Sequence, residues 1–328
     1  MEALYQQYFG LREAPFNISP DPDFLFLSAS HREALAQISY GINGRKGFIV
    51  LTGEVGTGKT TLIRSLLNQV GANTYTALIF NNVASARDLM RYICEDFGIA
   101  GVKSYRQDIH DYVVSLNEFL LEKYQGGENC ALIIDEAQNL SLDVLESVRL
   151  LSNFETSKDK LLQILLVGQP ELSDRLNSSD LRQLKQRVTL RYRLRNLSLT
   201  ETGEYIGNRL KIAGGDPAVF TVKSVETIYA YSNGIPRVIN VLCDNGLLTA
   251  FALGRRVVDT SMIREVAEDL NLYEAPSEDS NGNGRTKSPN GYVSSNKGDG
   301  NDTFHLENRP VQKTFISRIA SRWRDAMR

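Results

Sequence analysis

Apolar positions along the chain fall into short unbroken runs separated by longer amphipathic stretches. Residues 47–52, 75–81, 131–135, 162–168 and 188–195 are strand-length and rich in β-branched or aromatic side chains. In 75–81, 131–135 and 162–168 the hydrophobicity is continuous rather than alternating, which predicts strands covered on both faces. Helical periodicity fills the gaps at about 31–41, 58–70, 85–97, 109–124, 142–154 and 181–186. Strands alternating with helices predict an α/β fold built on a parallel sheet with crossover helices.

Beyond about residue 198 the strand signal stops. Residues 200–213, 221–231, 236–253 and 260–270 have helical periodicity, and Gly214-Gly215 supplies a stop. The predicted organisation is therefore an α/β core over 31–198 and a small all-α domain over 199–274. Residues 1–30 are punctuated by aromatics and prolines (Tyr5, Tyr8, Phe9, Pro15, Phe16, Pro20, Pro22, Phe24, Phe26). That much aromatic surface predicts an irregular segment wrapped onto a domain. Residues 275–308 shift to Ser, Asn, Gly and Lys, a composition that cannot bury enough surface to offset ordering entropy, and so predict a disordered linker. In 309–328, Val311, Phe315, Ile319, Trp323 and Met327 recur every fourth residue among Lys313, Arg318, Arg322, Arg324 and Arg328. This is the pattern of a basic amphipathic helix.

Composition narrows the classes. With 328 residues, 42% of them hydrophobic, the chain can bury a sizeable core. A net charge of -2 gives no bulk attraction to nucleic acid or anionic membrane, so any such contact needs a local patch. Cys94, Cys130 and Cys243 lie far apart in apolar stretches without metal-type spacing, as expected of buried thiols in a reducing compartment. No signal-peptide pattern opens the chain, and no run approaches the ~20 apolar residues of a membrane span, so the expected location is the cytoplasm.

The chemistry is concentrated in Gly53-Glu54-Val55-Gly56-Thr57-Gly58-Lys59-Thr60-Thr61, which matches G-x-x-x-x-G-K-[ST] between a strand and a helix. Glycines at 53, 56 and 58 allow a loop whose N–H groups converge on phosphate oxygens, and the following helix adds its positive dipole end. Lys59 is expected to bridge the β- and γ-phosphates of ATP, and the Thr60 hydroxyl to ligate Mg2+. A second element, residues 130–136, is an apolar strand ending in two carboxylates. Asp135 is placed to hold the metal and Glu136 to polarise an attacking water. At least one further strand, 75–81, separates the two elements, an arrangement that resembles the AAA+ and RecA branch of P-loop proteins.

More of the chain then resembles one family, the ExeA/GspA-type AAA+ ATPases of bacterial secretion and envelope assembly. The residues that carry the resemblance are 15–28, His31 to Leu35, Lys46-Gly47-Phe48, Asp135 to Leu140, Leu166 to Leu172, Gln186-Arg187, the Glu201 to Gly214 helix, and Gly234 to Asn240. They run in order over about residues 1–270. The resemblance implies a P-loop NTPase of the AAA+ type: a five-stranded parallel sheet of order 5-1-4-3-2 with helices on both faces, followed by a helical lid. It implies that Gln169 is the sensor-1 residue, Arg237 the sensor-2 residue, and Arg187 an arginine finger given to a neighbouring subunit, with Arg182 as the rival. It also places Pro20-Asp21-Pro22 near the adenine, or leaves them as a structural wrap. Members of the type II secretion branch carry a transmembrane helix and a peptidoglycan-binding module after the ATPase. Here the expected linker and basic helix follow instead.

Two functions are consistent with this. The first is an oligomerising, ring-forming ATPase with ATP at subunit interfaces, which energises or switches protein secretion, pilus biogenesis or exopolysaccharide export. Residues 309–328 would then meet an inner-membrane partner or an anionic membrane surface, making the protein peripheral at the inner membrane. The alternative is a DNA-binding AAA+ regulator similar to MuB and TnsC. Arg191, Arg193 and Arg195, which alternate with apolar residues, are either a charge-defended edge strand or a phosphate-binding stripe. The net charge makes DNA the less favoured partner.

Overall fold

A computed structural model describes residues 2–17, 21–70, 73–80, 83–99 and 108–274; the linker and terminal helix expected over 275–328 lie outside the described residues. The chain forms two compact units. One spans Leu27–Asn196, and the other joins the first residues through Phe26 to those from Leu197 onward.

The first unit contains α2 (Ala29–Asn43), β1 (Phe48–Thr52), α3 (Lys59–Gln69), β2 (Thr74–Ile79), α4 (Ala86–Asp96) and α5 (Ile109–Gln125). It continues with β3 (Asn129–Ile134), α6 (Leu142–Leu151), β4 (Gln163–Gly168), α7 (Pro170–Leu176), α8 (Arg182–Arg187) and β5 (Val188–Arg193). All strand pairs are parallel, in the order β2-β3-β4-β1-β5. This is the expected order read from the other edge. β3 and β4 are buried along their whole length, as expected, and so is β1. β2, also expected to be covered on both faces, lies at the sheet edge and is mostly half-buried, because an edge strand has a neighbour on one side only. At the edge, β5 alternates half-buried and exposed positions, and this is where the arginines alternate in sequence.

One apolar layer joins β1, β3 and β4 to α4, α5 and α6 through Val50, Leu132, Ile134, Leu166, Ile93, Leu116 and Val148. On the other face, Ile49, Leu51, Ile133 and Val167 pack on Ile38, Ile42, Leu62 and Ile63 of α2 and α3. Several helices begin at side-chain caps. Ser28, Ser85 and Ser141 accept amides of α2, α4 and α6, and Asp108 with Asp111 forms a capping box on α5. The start of α3 is different. Its N-cap is Gly58 in the left-handed region, with no side-chain cap, so its first amides are left for another acceptor.

The second unit holds α1 (Glu2–Phe9), α9 (Leu199–Ile212), α10 (Val222–Ser232), α11 (Pro236–Ala252) and α12 (Thr260–Asp269). Helix α1 corrects the expectation of an irregular N-terminus. The prolines begin only at residue 15, and Tyr5 and Phe9, one turn apart, both bury in this unit's core with Leu11, Phe16 and Phe24. The segment is also tied in by Arg209 of α9, which donates to Pro15 O (2.5 Å), Asn17 O (3.4 Å) and Tyr205 Oη (2.7 Å) and stacks on Phe24. Tyr205 in turn donates to Asn240 of α11 at 2.8 Å.

Candidate nucleotide site

The register brings the ends of three strands to one edge of the sheet. Thr52 pairs with Gly168, and Ile134 with Leu166, so the residues after β1, β3 and β4 emerge side by side. In open parallel sheets that carboxyl edge is where ligands bind.

The loop after β1 is shaped by its glycines. Gly56 (φ 83) and Gly58 (φ 94) occupy the left-handed region. Gly53 is constrained by close approach, since a Cβ there would lie 3.0 Å from Thr57 Oγ1 and 3.1 Å from Leu194 Cβ. Thr57 Oγ1 donates to Glu54 O at 2.8 Å and closes the loop on itself. Lys59 is buried, and its ammonium donates to Gly53 O (2.8 Å) and Glu54 O (3.0 Å). Burial pushes its pKa down, while the carboxylates of Glu136, Asp135, Glu54 and Glu171 pull it back up.

Thr60 Oγ1 donates to Asp135 Oδ2 at 3.1 Å, which joins the two predicted metal-holding residues directly. Asp135 also accepts the Glu136 N–H at 2.9 Å. Burial holds the Asp135 pKa above the usual carboxylate range; the amide of Glu136, the Thr60 hydroxyl and Lys59 act against it, and the Glu136 carboxylate with it. Glu136 lies in the left-handed region (φ 52, ψ 35), a conformation that costs a non-glycine residue about 1 kcal/mol or more and persists where its surroundings impose it. Its Oε2 accepts from Gln138 Nε2 at 2.5 Å and Gln169 Nε2 at 3.3 Å.

Lys59, Thr60, Asp135, Glu136 and Gln169 thus converge. Val55, at the loop tip, is half exposed, and Glu54 faces Arg193 at 3.7 Å. Arg187 is placed elsewhere. It precedes β5, and Val188 pairs with Phe48 at the start of β1, so it stands at the opposite edge of the sheet, a strand length of about 15 Å away. There its Nη1 donates to Arg149 O (3.3 Å), Asn153 Oδ1 (2.7 Å) and Ser152 Oγ at the end of α6. Arg182 is exposed in the first turn of α8. Arg237 belongs to the other unit and is exposed in the first turn of α11.

Two neighbours of the loop have no role in the motif. Buried His31, in the first turn of α2, contacts Ser28 Oγ through Nδ1 (2.7 Å) and Thr57 O through Nε2 (3.1 Å). Because a carbonyl only accepts, Nε2 carries the proton and braces the loop from beneath. Gln138 faces both Glu136 and the end of β4. Each lies within a stretch that resembles the family, but only side-chain geometry gives it a partner.

A family model for an AAA domain matches residues 42–176. General secretion pathway protein A of Aeromonas hydrophila is 45% identical over 256 residues, which cover 76% of this chain and 46% of that protein. The chain carries an AAA domain and is a relative of general secretion pathway protein A. It spans about half the length of that relative. Among solved structures, Aeropyrum pernix ORC2, in ADPNP–ADP complexes, superposes with a TM-score of 0.56 at 18% identity, over 80% of this chain and 72% of its own. Cdc6p of Pyrobaculum aerophilum gives 0.57 at 17%, over 76% and 71%. Drosophila ORC bound to DNA gives 0.58 at 16%, over 82% and 66%. At these identities the likeness is one of fold. Among the described residues, no helix is long and apolar enough to cross a membrane.

Proposed function

We propose that the chain binds ATP with Mg2+ at residues 53–61 and hydrolyses it. The observation that carries this reading is the joint presence of an uncapped helix start at Gly58, a buried ammonium at Lys59 and a hydroxyl–carboxylate pair, Thr60 and Asp135, at one strand edge. Amides and an ammonium suit phosphate oxygens; a hydroxyl and a carboxylate suit a hard divalent cation. Among the described residues no group of three or more His, Cys, Asp and Glu could hold a metal; with Thr60 and Asp135 as its protein ligands, Mg2+ would fill the rest of its shell with nucleotide oxygens and water. When bound, Mg2+ neutralises phosphate charge. Lys59 exchanges its carbonyl partners for phosphate, and Glu136 orients the attacking water. Gln169 beside it acts as sensor 1, and Arg237 is assigned sensor 2 on the family resemblance.

Arg187, a strand length from its own loop, fits a finger that works in trans, so that ATP sits between subunits of a ring-forming homo-oligomer. That separation from its own loop favours an assembling ATPase over an isolated one. By its relation to general secretion pathway protein A, the chain serves a bacterial envelope system at the cytoplasmic side of the inner membrane, in protein secretion, pilus biogenesis or exopolysaccharide export. The rival, a DNA-binding regulator of the MuB and TnsC type, draws on the arginine row of β5. Two of those arginines face carboxylates, Arg193 with Glu54 and Arg195 with Glu33 at 3.7 and 3.6 Å, which weakens the row as a phosphate stripe. Flotation with anionic liposomes beside a DNA mobility shift separates the readings; binding to DNA and not to lipid would overturn the first.

A further inference from the structure

The turn after β3 carries an amide that ties the carboxylate of Glu136 to the end of β4. The main-chain N–H of Gln169 can only donate, so the Gln138 atom facing it at 3.0 Å is the carbonyl Oε1. That fixes the amide's orientation and turns Nε2 toward Glu136 Oε2, at 2.5 Å. Gln169 Nε2 donates to the same oxygen at 3.3 Å, so both bonds fall on Oε2 and neither on Oε1.

Independent features hold this amide in place. A Cβ on Gly168 would lie 2.7 Å from Gln138 Oε1 and 3.1 Å from Leu172 Cβ, so the approach of the Gln138 side chain depends on glycine there. Arg175 of α7 donates to Gln138 O and, at 2.7 Å, to Leu140 O, gripping the main chain of the turn. Glu136 itself is held in the left-handed region.

We propose that Gln138 is a positioning residue for Glu136. Its amide fixes one carboxylate oxygen and references it to the main chain beside Gln169, which leaves Oε1 to receive the proton of the attacking water. In that step the water oxygen bonds to the terminal phosphorus, its proton passes to Oε1, and the bond to the ADP oxygen breaks. The proposal rests on the reading of Glu136 as the residue that polarises water. A simple turn brace would need only the Oε1 contact to Gln169 N–H, whereas positioning needs the Nε2 donor as well.

Gln138→Glu separates the two, because it keeps the acceptor and replaces the donor with an oxygen. Gln138→Met, similar in volume, removes both and serves if the charged variant fails to fold. Steady-state ATPase kinetics and affinity for a fluorescent ATP analogue are measured with Mg2+ for both variants and for Glu136→Gln. The expected result is a fall in kcat of about ten- to a hundredfold in both Gln138 variants, the usual effect of losing a hydrogen bond to a charged group. Nucleotide affinity should stay within about threefold of the parent, since the bond acts on the chemical step. Wild-type kcat in Gln138→Glu or Gln138→Met, beside an inactive Glu136→Gln, would overturn the positioning role alone. Weakened nucleotide affinity with kcat unchanged would do the same. Full turnover by Glu136→Gln would remove both the role of Glu136 and the proposal built on it.

Discussion

Gly234 tests whether the turn before α11 is held as tightly as its geometry demands. Its φ is +70, and its carbonyl accepts the Leu197 N–H at 2.9 Å. A Cβ there would stand 1.9 Å from Leu197 O, a main-chain atom that cannot rotate aside. Gly254 is the matched control, with φ +65 and nothing within 4 Å of a built Cβ. Gly254→Ala should cost only the conformational penalty of a left-handed alanine, about 1–2 kcal/mol. Gly234→Ala carries the same penalty, and its turn must also shift by about 1 Å. That adds overpacking of about 1–3 kcal/mol and a weakened hydrogen bond of about 1 kcal/mol. The difference between the variants should therefore be about 2–4 kcal/mol, which at this size corresponds to roughly 5–15 °C in Tm. Urea and thermal unfolding followed by circular dichroism measure it. Equal losses in the two variants would refute the steric argument and leave φ as the sole cost.

Other expectations follow from the charges and thiols. Asp135→Asn should raise the Tm of the nucleotide-free protein at neutral pH. The folded-state pKa of Asp135 lies above its unfolded value, so the folded state favours the protonated form; that contribution is present at low pH and lost as pH rises through the folded pKa. The Tm gap to wild type should close on acidification, and a gap that widens would contradict the sign. Cys94 and Cys130 have thiol pKa values pushed up to about 12 by burial, and Cys243 is raised well above its usual value. A thiol reagent at pH 8 should label none of the three until denaturant is added; fast native labelling would contradict their burial. Arg187→Ala should lose ATPase activity and regain part of it when mixed with Glu136→Gln subunits. No recovery at any mixing ratio would argue against a finger supplied in trans.

Much of the core was legible because its signals are local and redundant. The unbroken apolar runs of β3 and β4 report burial on both faces, and the alternating arginines of β5 report an edge, whereas the similar run of β2 did not reveal that it forms the other edge. The phosphate loop is readable because left-handed backbone at Gly56 and Gly58 demands glycine at those spacings. Helix α1 was not legible. Its apolar positions, Tyr5 and Phe9, span little more than one turn, and their partners lie about 200 residues later in α9 and α11. The support given by His31 and Gln138 was hidden for a related reason. Each depends on a hydrogen bond to a main-chain atom distant in sequence, Thr57 O and Gln169 N, and such a bond leaves no periodicity or composition to read.

The central claim is that main-chain amides and the Lys59 ammonium grip the terminal phosphates beside a metal held at Thr60 and Asp135. Its most direct test is titration of the purified chain with a fluorescent ATP analogue, with and without Mg2+, beside Lys59→Ala. The account predicts saturable binding that is stronger with Mg2+ and about a hundredfold or more weaker in the variant, the scale of losing charge-assisted hydrogen bonds. Wild-type affinity in Lys59→Ala, or no binding by the parent chain, would contradict it.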